Sequence, residues 1–163
     1  MLLKKDGAPE AKEVQSIRPS AERRARGPVA WIECFEEIPC DPCHDACPTG
    51  AIAPFEDIND RPTIDHEVCT GCGLCIAACP GLAIFVVDES YSEDEAVVRL
   101  PHEFIPVPGE DEEVVLLNRA GEEVGKGRVV RVQNPDAFDH TAVISVAVPL
   151  DLASEVRAVR RGE

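Results

Sequence analysis

The sequence is poor in aromatic side chains and in positive charge. Only 4% of its 163 residues are aromatic, and 16 lysines and arginines stand against 31 aspartates and glutamates. A small chain with few large apolar side chains often relies on a metal centre for part of its stability. The excess of acid leaves little cationic surface to replace the counterions of phosphate groups, so we expect no nucleic-acid partner.

Long apolar segments are missing as well. No stretch approaches the roughly 20 apolar residues that a membrane-spanning helix needs. Residues 1–10 are charged and lack the apolar centre of a secretory signal. We therefore expect a cytoplasmic chain with no membrane span, whose thiols are either reduced or bound to metal.

The charge is distributed unevenly and divides the chain into three parts. Residues 1–28 have a net charge of +3, residues 29–90 of −11 and residues 91–163 of −7. We expect an N-terminal arm, a cysteine-rich domain, and a linker followed by a small β-rich module, in that order. The acidity either steers the chain onto a positively charged protein partner or serves solubility alone.

All eight cysteines lie in the middle part of the sequence. Four of them form a run with two, two and three intervening residues that is closed by a proline: Cys69, Cys72, Cys75, Cys79 and Pro80. This run is typical of bacterial iron–sulfur proteins, in which the fourth cysteine of the run binds a second cluster. Gly71 and Gly73 suit a tight curl around a cluster, because glycine accepts positive φ angles.

A second run precedes this one, as an internal repeat. Shifting the sequence by 32 positions aligns Cys40, Cys43, Ala46, Cys47, Pro48, Ala51 and Ile52 with Cys72, Cys75, Ala78, Cys79, Pro80, Ala83 and Ile84. The remaining cysteine, Cys34, precedes Cys40 by five intervening residues instead of two. A longer loop can still supply a ligand, because its additional closure entropy is small.

Together the two runs resemble the bacterial-type ferredoxins with two [4Fe–4S] clusters, whose fold is a pseudo-twofold α+β arrangement. The resemblance implies that one cluster, here called cluster 1, is bound by Cys34, Cys40, Cys43 and Cys79. It implies that the other, called cluster 2, is bound by Cys47, Cys69, Cys72 and Cys75. Interleaved in this way, the two clusters would share one small core.

Other uses of eight cysteines remain open at this point. Zinc also binds paired Cys-x-x-Cys motifs, but it leaves the two Cys-x-x-x-Cys-Pro endings and the repeat unexplained. A disulfide framework would require an oxidising compartment. A third alternative is a pair of clusters that only stabilise the fold and never change redox state.

The two cysteine loops differ in polarity. Acidic residues, among them Glu36, Glu37 and Asp41, occur in the first loop, whereas Leu74 and Ile76 occur in the second. We expect the two reduction potentials to be separated and cluster 2 to be the more buried. The sign of the separation stays open, because nearby negative charge opposes reduction while solvent exposure favours it.

The local patterns predict short elements around both loops. We expect strands at residues 28–33, 62–65 and 83–87, and helices beginning near Cys43 and Cys75. Ser20 is a candidate N-cap for a short turn whose three arginines bind either the acidic body of the chain or a partner subunit. The C-terminal part predicts an extended connection at 100–109, a hairpin of 114–117 with 127–132, a strand at 141–148 and a last helical turn over 151–159.

Residues 27–43 resemble a narrower group, the ferredoxin-type small subunits of multisubunit FAD-dependent dehydrogenases of amines and imino acids. Proline or hydroxyproline dehydrogenase and sarcosine oxidase-like complexes are examples, and residues 127–132 and 141–149 are similar to these subunits too. The resemblance implies an electron-transfer subunit without a catalytic site of its own, bound to flavoprotein dehydrogenase subunits. A freestanding soluble ferredoxin is the alternative.

Overall fold

A single antiparallel sheet of seven strands organises the chain. The computed structural model describes residues 7–162, so residues 1–6 of the predicted arm and Glu163 lie outside the described part. In chain order the strands are β1 (Val29–Ile32), β2 (Ile84–Asp88), β3 (Glu95–His102), β4 (Glu113–Leu117), β5 (Glu123–Gln133), β6 (Ala142–Pro149) and β7 (Ala158–Arg161). Their order across the sheet is β1-β2-β3-β6-β5-β4-β7.

The helices of the described residues are short. They are α1 (Ala11–Ile17), α2 (Ala21–Ala25), α3 (Pro42–Ala46) and α4 (Leu74–Ala78), with 3-10 turns at Asp136–Phe138 and Leu150–Leu152. No helix among residues 7–162 has the length and hydrophobicity needed to cross a membrane. The mixture of an antiparallel sheet with a few helices agrees with the expected α+β class.

The sheet separates two hydrophobic clusters, because successive side chains of a strand point to opposite faces. In β1, Val29 and Trp31 belong to one cluster, and Ala30 and Ile32 belong to the other. The hydrophobic cluster that contains Val29 and Trp31 is the larger one and forms the core of the C-terminal strands. The hydrophobic cluster that contains Ala30 and Ile32 also contains the buried Ile76 and most of the cysteines. The thiols therefore lie around one face at one end of the sheet.

The internal repeat of the sequence has a counterpart in the helices and strand pairs of the structure. Helices α3 and α4 occupy positions 42–46 and 74–78, which are related by the same shift of 32. The strand pair of Ile32 with Ile84 has its counterpart in the isolated bridge of Ile52 with Ile64. Residues at equivalent positions of the two halves therefore make equivalent contacts.

The segment after residue 90 differs from its prediction. The first three residues of the extended connection predicted at 100–109 belong instead to strand β3 (Glu95–His102), which pairs with β2 on one side and β6 on the other. The interstrand hydrogen bonds continue from the cysteine-rich part into the C-terminal part without a break. The expected helical turn over 151–159 is also wrong, because it contains only a 3-10 turn before β7 pairs with β4.

The N-terminal arm packs on the body of the protein. Ser20 caps α2 as expected, its hydroxyl accepting a hydrogen bond from the Arg23 amide at 3.1 Å. Arg24 lies 2.5 Å from the Glu89 carboxylate, and Arg26 pairs with Glu67. The arginines of the arm therefore bind the chain's own acidic body.

Candidate iron–sulfur centres

The two short helices position half of the cysteines. Cys43 lies in α3 and Cys75 in α4, and both are 8% exposed. Cys47 and Cys79 terminate these helices with nearly the same backbone angles, φ −81° and ψ 108° against φ −78° and ψ 110°. Each helix thus holds one buried cysteine within it and a second cysteine at its C-terminal end.

A first cavity of about 200 Å³ lies between the α3 loop and the end of α4. Its four cysteines are Cys34, Cys40, Cys43 and Cys79. Apolar side chains, among them Phe35, Phe55 and Ile84, form much of the remaining wall. The longer first loop therefore still brings Cys34 to the same cavity as Cys40, in spite of the insertion.

A second, narrower cavity of about 20 Å³ lies between the α4 loop and the end of α3. Its four cysteines are Cys47, Cys69, Cys72 and Cys75. All eight cysteines of the chain are free thiols. The structure thus groups the predicted ligands in two sets of four, with Cys47 and Cys79 each next to the three cysteines of the opposite run.

The loop of the second site depends on two glycines. Gly71 and Gly73 have φ angles of +68° and +83°, as expected from the sequence. A Cβ atom at Gly71 would lie 2.5 Å from the carbonyl oxygen of Pro28. The Cys69–Cys72 turn consequently fits against the entry to β1 only because residue 71 has no side chain.

The thiols repel one another when they are ionised. Burial, followed by the charge of neighbouring Cys79, raises the pKa of Cys43 to about 11. Burial, followed by the charges of Cys69 and Cys72, raises the pKa of Cys75 to about 12. A cationic iron centre would remove this repulsion, so four converging thiols fit the donor chemistry of an iron–sulfur cluster.

Hydrogen bonds reach the sulfur atoms of Cys47 and Cys79, the cysteines at the ends of the two helices. The Ala83 amide donates to Cys79 Sγ at 3.4 Å. Burial of Cys47 would raise its pKa, but hydrogen bonds from the Ile52 amide and from Thr49 outweigh burial and lower it. Such N–H···S contacts are among the groups that tune the potential of a bound cluster.

The exposure of the cysteines does not show the expected difference in burial between the sites. Each site contains one buried cysteine, and Cys72 of the second site is the only exposed one of the eight. Of the two apolar residues of the second loop, Leu74 is 45% exposed and Ile76 is 0% exposed. Leu74 lies on the outer side of α4 and Ile76 on its inner side, so the apolar spacers of the loop do not all contribute to burial.

Two polar contacts around the sites could not be predicted from the sequence. The carboxylate of Glu33 accepts hydrogen bonds from Arg119 at 2.6 Å and from Arg157 at 2.7 Å, next to Cys34 in sequence. The Arg99 guanidinium donates to the Cys72 carbonyl at 3.1 Å. Both contacts join residues far apart in the chain, and no local pattern marks them.

Comparison with known families supports the cluster chemistry. Residues 38–83 match the 4Fe–4S dicluster domain family. The chain thus contains a 4Fe–4S dicluster ferredoxin domain, and this domain indicates two [4Fe–4S] clusters.

Several curated proteins are similar to this part of the chain. Identity is 47% over 47 residues to a component of the ion-translocating oxidoreductase complex of Methanosarcina acetivorans, covering 29% of this chain and 17% of that protein. Identity is 42% over 52 residues to the pyruvate synthase subunit PorD of Methanocaldococcus jannaschii, covering 32% of this chain and 58% of that subunit. Identity is 35% over 54 residues to the polyferredoxin-like subunit of the aliphatic sulfonate oxidoreductase of Pyrococcus furiosus, covering 33% of this chain and 28% of that subunit.

The similarity is local in every one of these pairs. The matched segment covers less than two thirds of each relative and about a third of this chain. No solved structure matches the chain significantly.

Proposed function

We propose that the chain is a cytoplasmic iron–sulfur subunit that carries electrons between a partner flavin and another acceptor in an oxidoreductase complex. Residues 29–90 hold the clusters, and the arm (1–28) and the C-terminal part (91–163) support them and join the chain to its partners. Substrate oxidation belongs to a flavoprotein dehydrogenase subunit rather than to this chain. Each bound cluster supplies a site that accepts and releases one electron.

The observation that carries the proposal is the grouping of eight free thiols in two sets of four around a shared core. We assign Cys34, Cys40, Cys43 and Cys79 to cluster 1 and Cys47, Cys69, Cys72 and Cys75 to cluster 2. Because α3 and α4 each supply thiols to both cavities, the two clusters would be neighbours. Transfer between them would then need no large motion of the chain.

A pseudo-twofold ferredoxin arrangement is part of the proposal. It is supported by the equivalent hydrogen bonds that flank the two sites, from the Glu33 amide to the Ala83 carbonyl at 2.7 Å and from the Asp65 amide to the Ala51 carbonyl at 2.8 Å. These two bonds are related by the 32-residue shift. The symmetry accounts for two similar sites in one short segment.

Membership of a complex is supported by the parts that surround the ferredoxin segment. Strands β3 to β7 extend the sheet well beyond the cysteine-rich part. Several relatives are themselves described as subunits, of an ion-translocating oxidoreductase complex, of a pyruvate synthase and of a sulfonate oxidoreductase. A diffusing carrier would not need this additional structure.

The surface next to cluster 1 suits a positively charged partner. Ile38 and Ile58 are 41% and 44% exposed, and the Cys40 amide donates to the Ile58 carbonyl at 3.1 Å. Exposed acids such as Glu37 and Asp57 flank these two apolar side chains. An apolar centre with an acidic rim is an arrangement that combines contact area with electrostatic steering.

The proposal is tested by isolating the complex from its native source through a tag on this chain. We expect a flavoprotein to copurify and its flavin to be reoxidised through the chain's clusters. If the chain elutes alone at every salt concentration while it still exchanges electrons with a generic reductase, it is a freestanding ferredoxin instead. If reduction leaves the visible and EPR spectra unchanged, the clusters are only structural.

A further inference from the structure

Arg23 of helix α2 is a buried positive charge beside the cluster 2 loop. It is 6% exposed. Within residues 7–162, its guanidinium donates to four backbone carbonyls, those of His66 (2.6 Å), Gly27 (3.2 Å), Pro28 (2.9 Å) and Cys69 (2.7 Å). The charge therefore lies directly behind one of the proposed ligands of cluster 2.

Arg99 of strand β3 approaches the same loop from the C-terminal part of the chain. Its Nη1 donates to the carbonyl oxygen of Cys72 at 3.1 Å. A Cβ atom on Gly73 would lie 3.2 Å from that nitrogen, so the guanidinium is packed closely against the loop. Arg23 and Arg99 thus contact two ligand residues of one cluster from elements outside the cysteine runs.

Neither of these charges is paired with a carboxylate among the residues that the structure describes. Within residues 7–162, no ion pair involves Arg23 or Arg99, whereas the neighbouring Arg24 and Arg26 are paired with Glu89 and Glu67. A backbone carbonyl accepts a hydrogen bond without cancelling the net charge of the donor. Two positive charges without a directly paired carboxylate therefore adjoin cluster 2.

Cluster 1 has acidic residues at its wall, and the one arginine charge that acts on Cys34, that of Arg61 among the described residues, lies 4.0 Å from the Glu37 carboxylate. Its cavity is lined in part by Glu33, Glu36 and Asp60, whereas no acidic residue lines the cavity of cluster 2 within the described chain. Glu33 is neutralised, but its arginine partner Arg157 lies over the rings of Trp31 and Phe85, on the other face of the sheet. Glu36 and Asp60 are further acidic residues at the wall of cluster 1.

We propose that Arg23 and Arg99 raise the reduction potential of cluster 2, so that cluster 2 is reduced before cluster 1. Adding an electron increases the negative charge of a cluster, and adjacent positive charge stabilises the reduced form. An electron delivered by a reduced flavin to cluster 1 then passes to cluster 2, which is reduced as cluster 1 is oxidised. This inference rests on the proposed function, because it uses the ligand sets assigned there.

The test is an anaerobic redox titration of the full chain, followed by EPR. The signals are assigned with Cys40→Ser and Cys72→Ser variants, each of which perturbs one cluster. In the wild type we expect the signal of cluster 2 to arise first. In Arg99→Gln the oxidised-to-reduced ratio of cluster 2 at a fixed potential should rise about tenfold, equivalent to about 59 mV for one electron, while cluster 1 stays unchanged.

Two further variants separate charge from other effects. Arg99→Lys keeps the charge and should retain most of the wild-type potential. Arg128→Gln removes an exposed positive charge from β5, where Arg128 pairs with Asp111 at 3.4 Å, and should move neither potential. Since Arg23→Gln could prevent folding, the Arg99 series decides the question.

The inference is overturned if cluster 1 is reduced first in the wild type, or if Arg99→Gln behaves like Arg128→Gln. In either case two reducible clusters would still be present, and the proposed function would stand. A wild-type chain whose clusters cannot be reduced would contradict the inference and the proposed function together.

Discussion

Arg157 donates a hydrogen bond from Nε to Oε1 of Glu33 at 2.7 Å, although the two residues are 124 positions apart in the sequence. The Glu33 side chain is 7% exposed and that of Arg157 is 4% exposed. This buried contact ties the C-terminal end of the chain to the residue before Cys34. It places a charge network of the C-terminal part next to the first ligand of cluster 1.

Replacement of Glu33 tests the importance of this contact for stability. Glu33→Gln leaves Arg119 and Arg157 without their buried counter-charge, and we expect the free energy of unfolding to fall by about 3–5 kcal/mol. Thermal unfolding followed by circular dichroism under anaerobic conditions measures the loss. Glu113→Gln, which breaks the exposed pair with Lys126, is the matched control and should change the midpoint little.

The same carboxylate predicts how stability depends on pH. Burial raises the pKa of Glu33, but the hydrogen bond from Arg119 and the charge of Arg157 outweigh it, so the pKa lies below its ordinary value of 4.5. The stabilisation is therefore fully present above pH 4.5 and is lost as the pH falls through the lowered pKa. Burial lowers the pKa of Arg157 only to about 10, so that group stays charged throughout this range.

Unfolding midpoints measured from about pH 6 down to about pH 3 check the sign of this prediction. The wild type should lose more stability on acidification than Glu33→Gln, and the two curves should converge at the acidic end. Parallel curves would show that Glu33 titrates in the folded chain as it does in the unfolded chain.

The assigned ligand sets predict which cluster is lost when the last cysteine of each run, Cys47 or Cys79, is replaced. Cys79→Ala should damage cluster 1, because Cys79 lines its cavity together with the cysteines of the first loop. Cys47→Ala should damage cluster 2 for the corresponding reason. Iron and sulfide analysis with EPR identifies the cluster that remains, and loss of cluster 2 in Cys79→Ala would contradict the assignment.

The fit of the cluster 2 loop predicts a difference between two glycines. Gly71 and Gly50 both have positive φ angles, +68° and +70°. Alanine at either site adds backbone strain of about 1 kcal/mol, but at residue 71 its Cβ would also meet the Pro28 carbonyl at 2.5 Å, whereas nothing lies within 4 Å at residue 50. Gly71→Ala should therefore lower the thermal midpoint and the cluster content much more than Gly50→Ala, and equal effects would show that Pro28 moves away freely.

The sequence predicted much of the ferredoxin segment because its constraints are local. Helices α3 and α4 begin one residue before Cys43 and Cys75, and β1 lies within the predicted strand at 28–33. The hairpin of β4 and β5 was predicted at the right place, although β4 pairs with residues 123–128 of β5 and most of the predicted arm 127–132 pairs with β6. In these segments, cysteine spacing and apolar patterns decide the local structure by themselves.

The remainder depends on pairing between distant segments. Strand β3 contains Pro101 and follows a polar segment, so its end was predicted as a connection, yet all eight of its residues pair with β6. Strand β7 forms because Val159 can pair with Leu116 at the edge of the sheet, in a segment predicted to be helical. The Arg99 contact with Cys72 follows from the position of β3 and was equally inaccessible to local patterns.

An anaerobic reductive titration of the purified chain measures whether the chain carries electrons on two clusters. The stoichiometry of reductant is measured against the bleaching of the visible absorption and the growth of the EPR signals. We predict reversible uptake of two electrons per chain, one for each of the two [4Fe–4S] clusters that the dicluster domain indicates. A fully loaded chain that takes up no electrons would contradict the account.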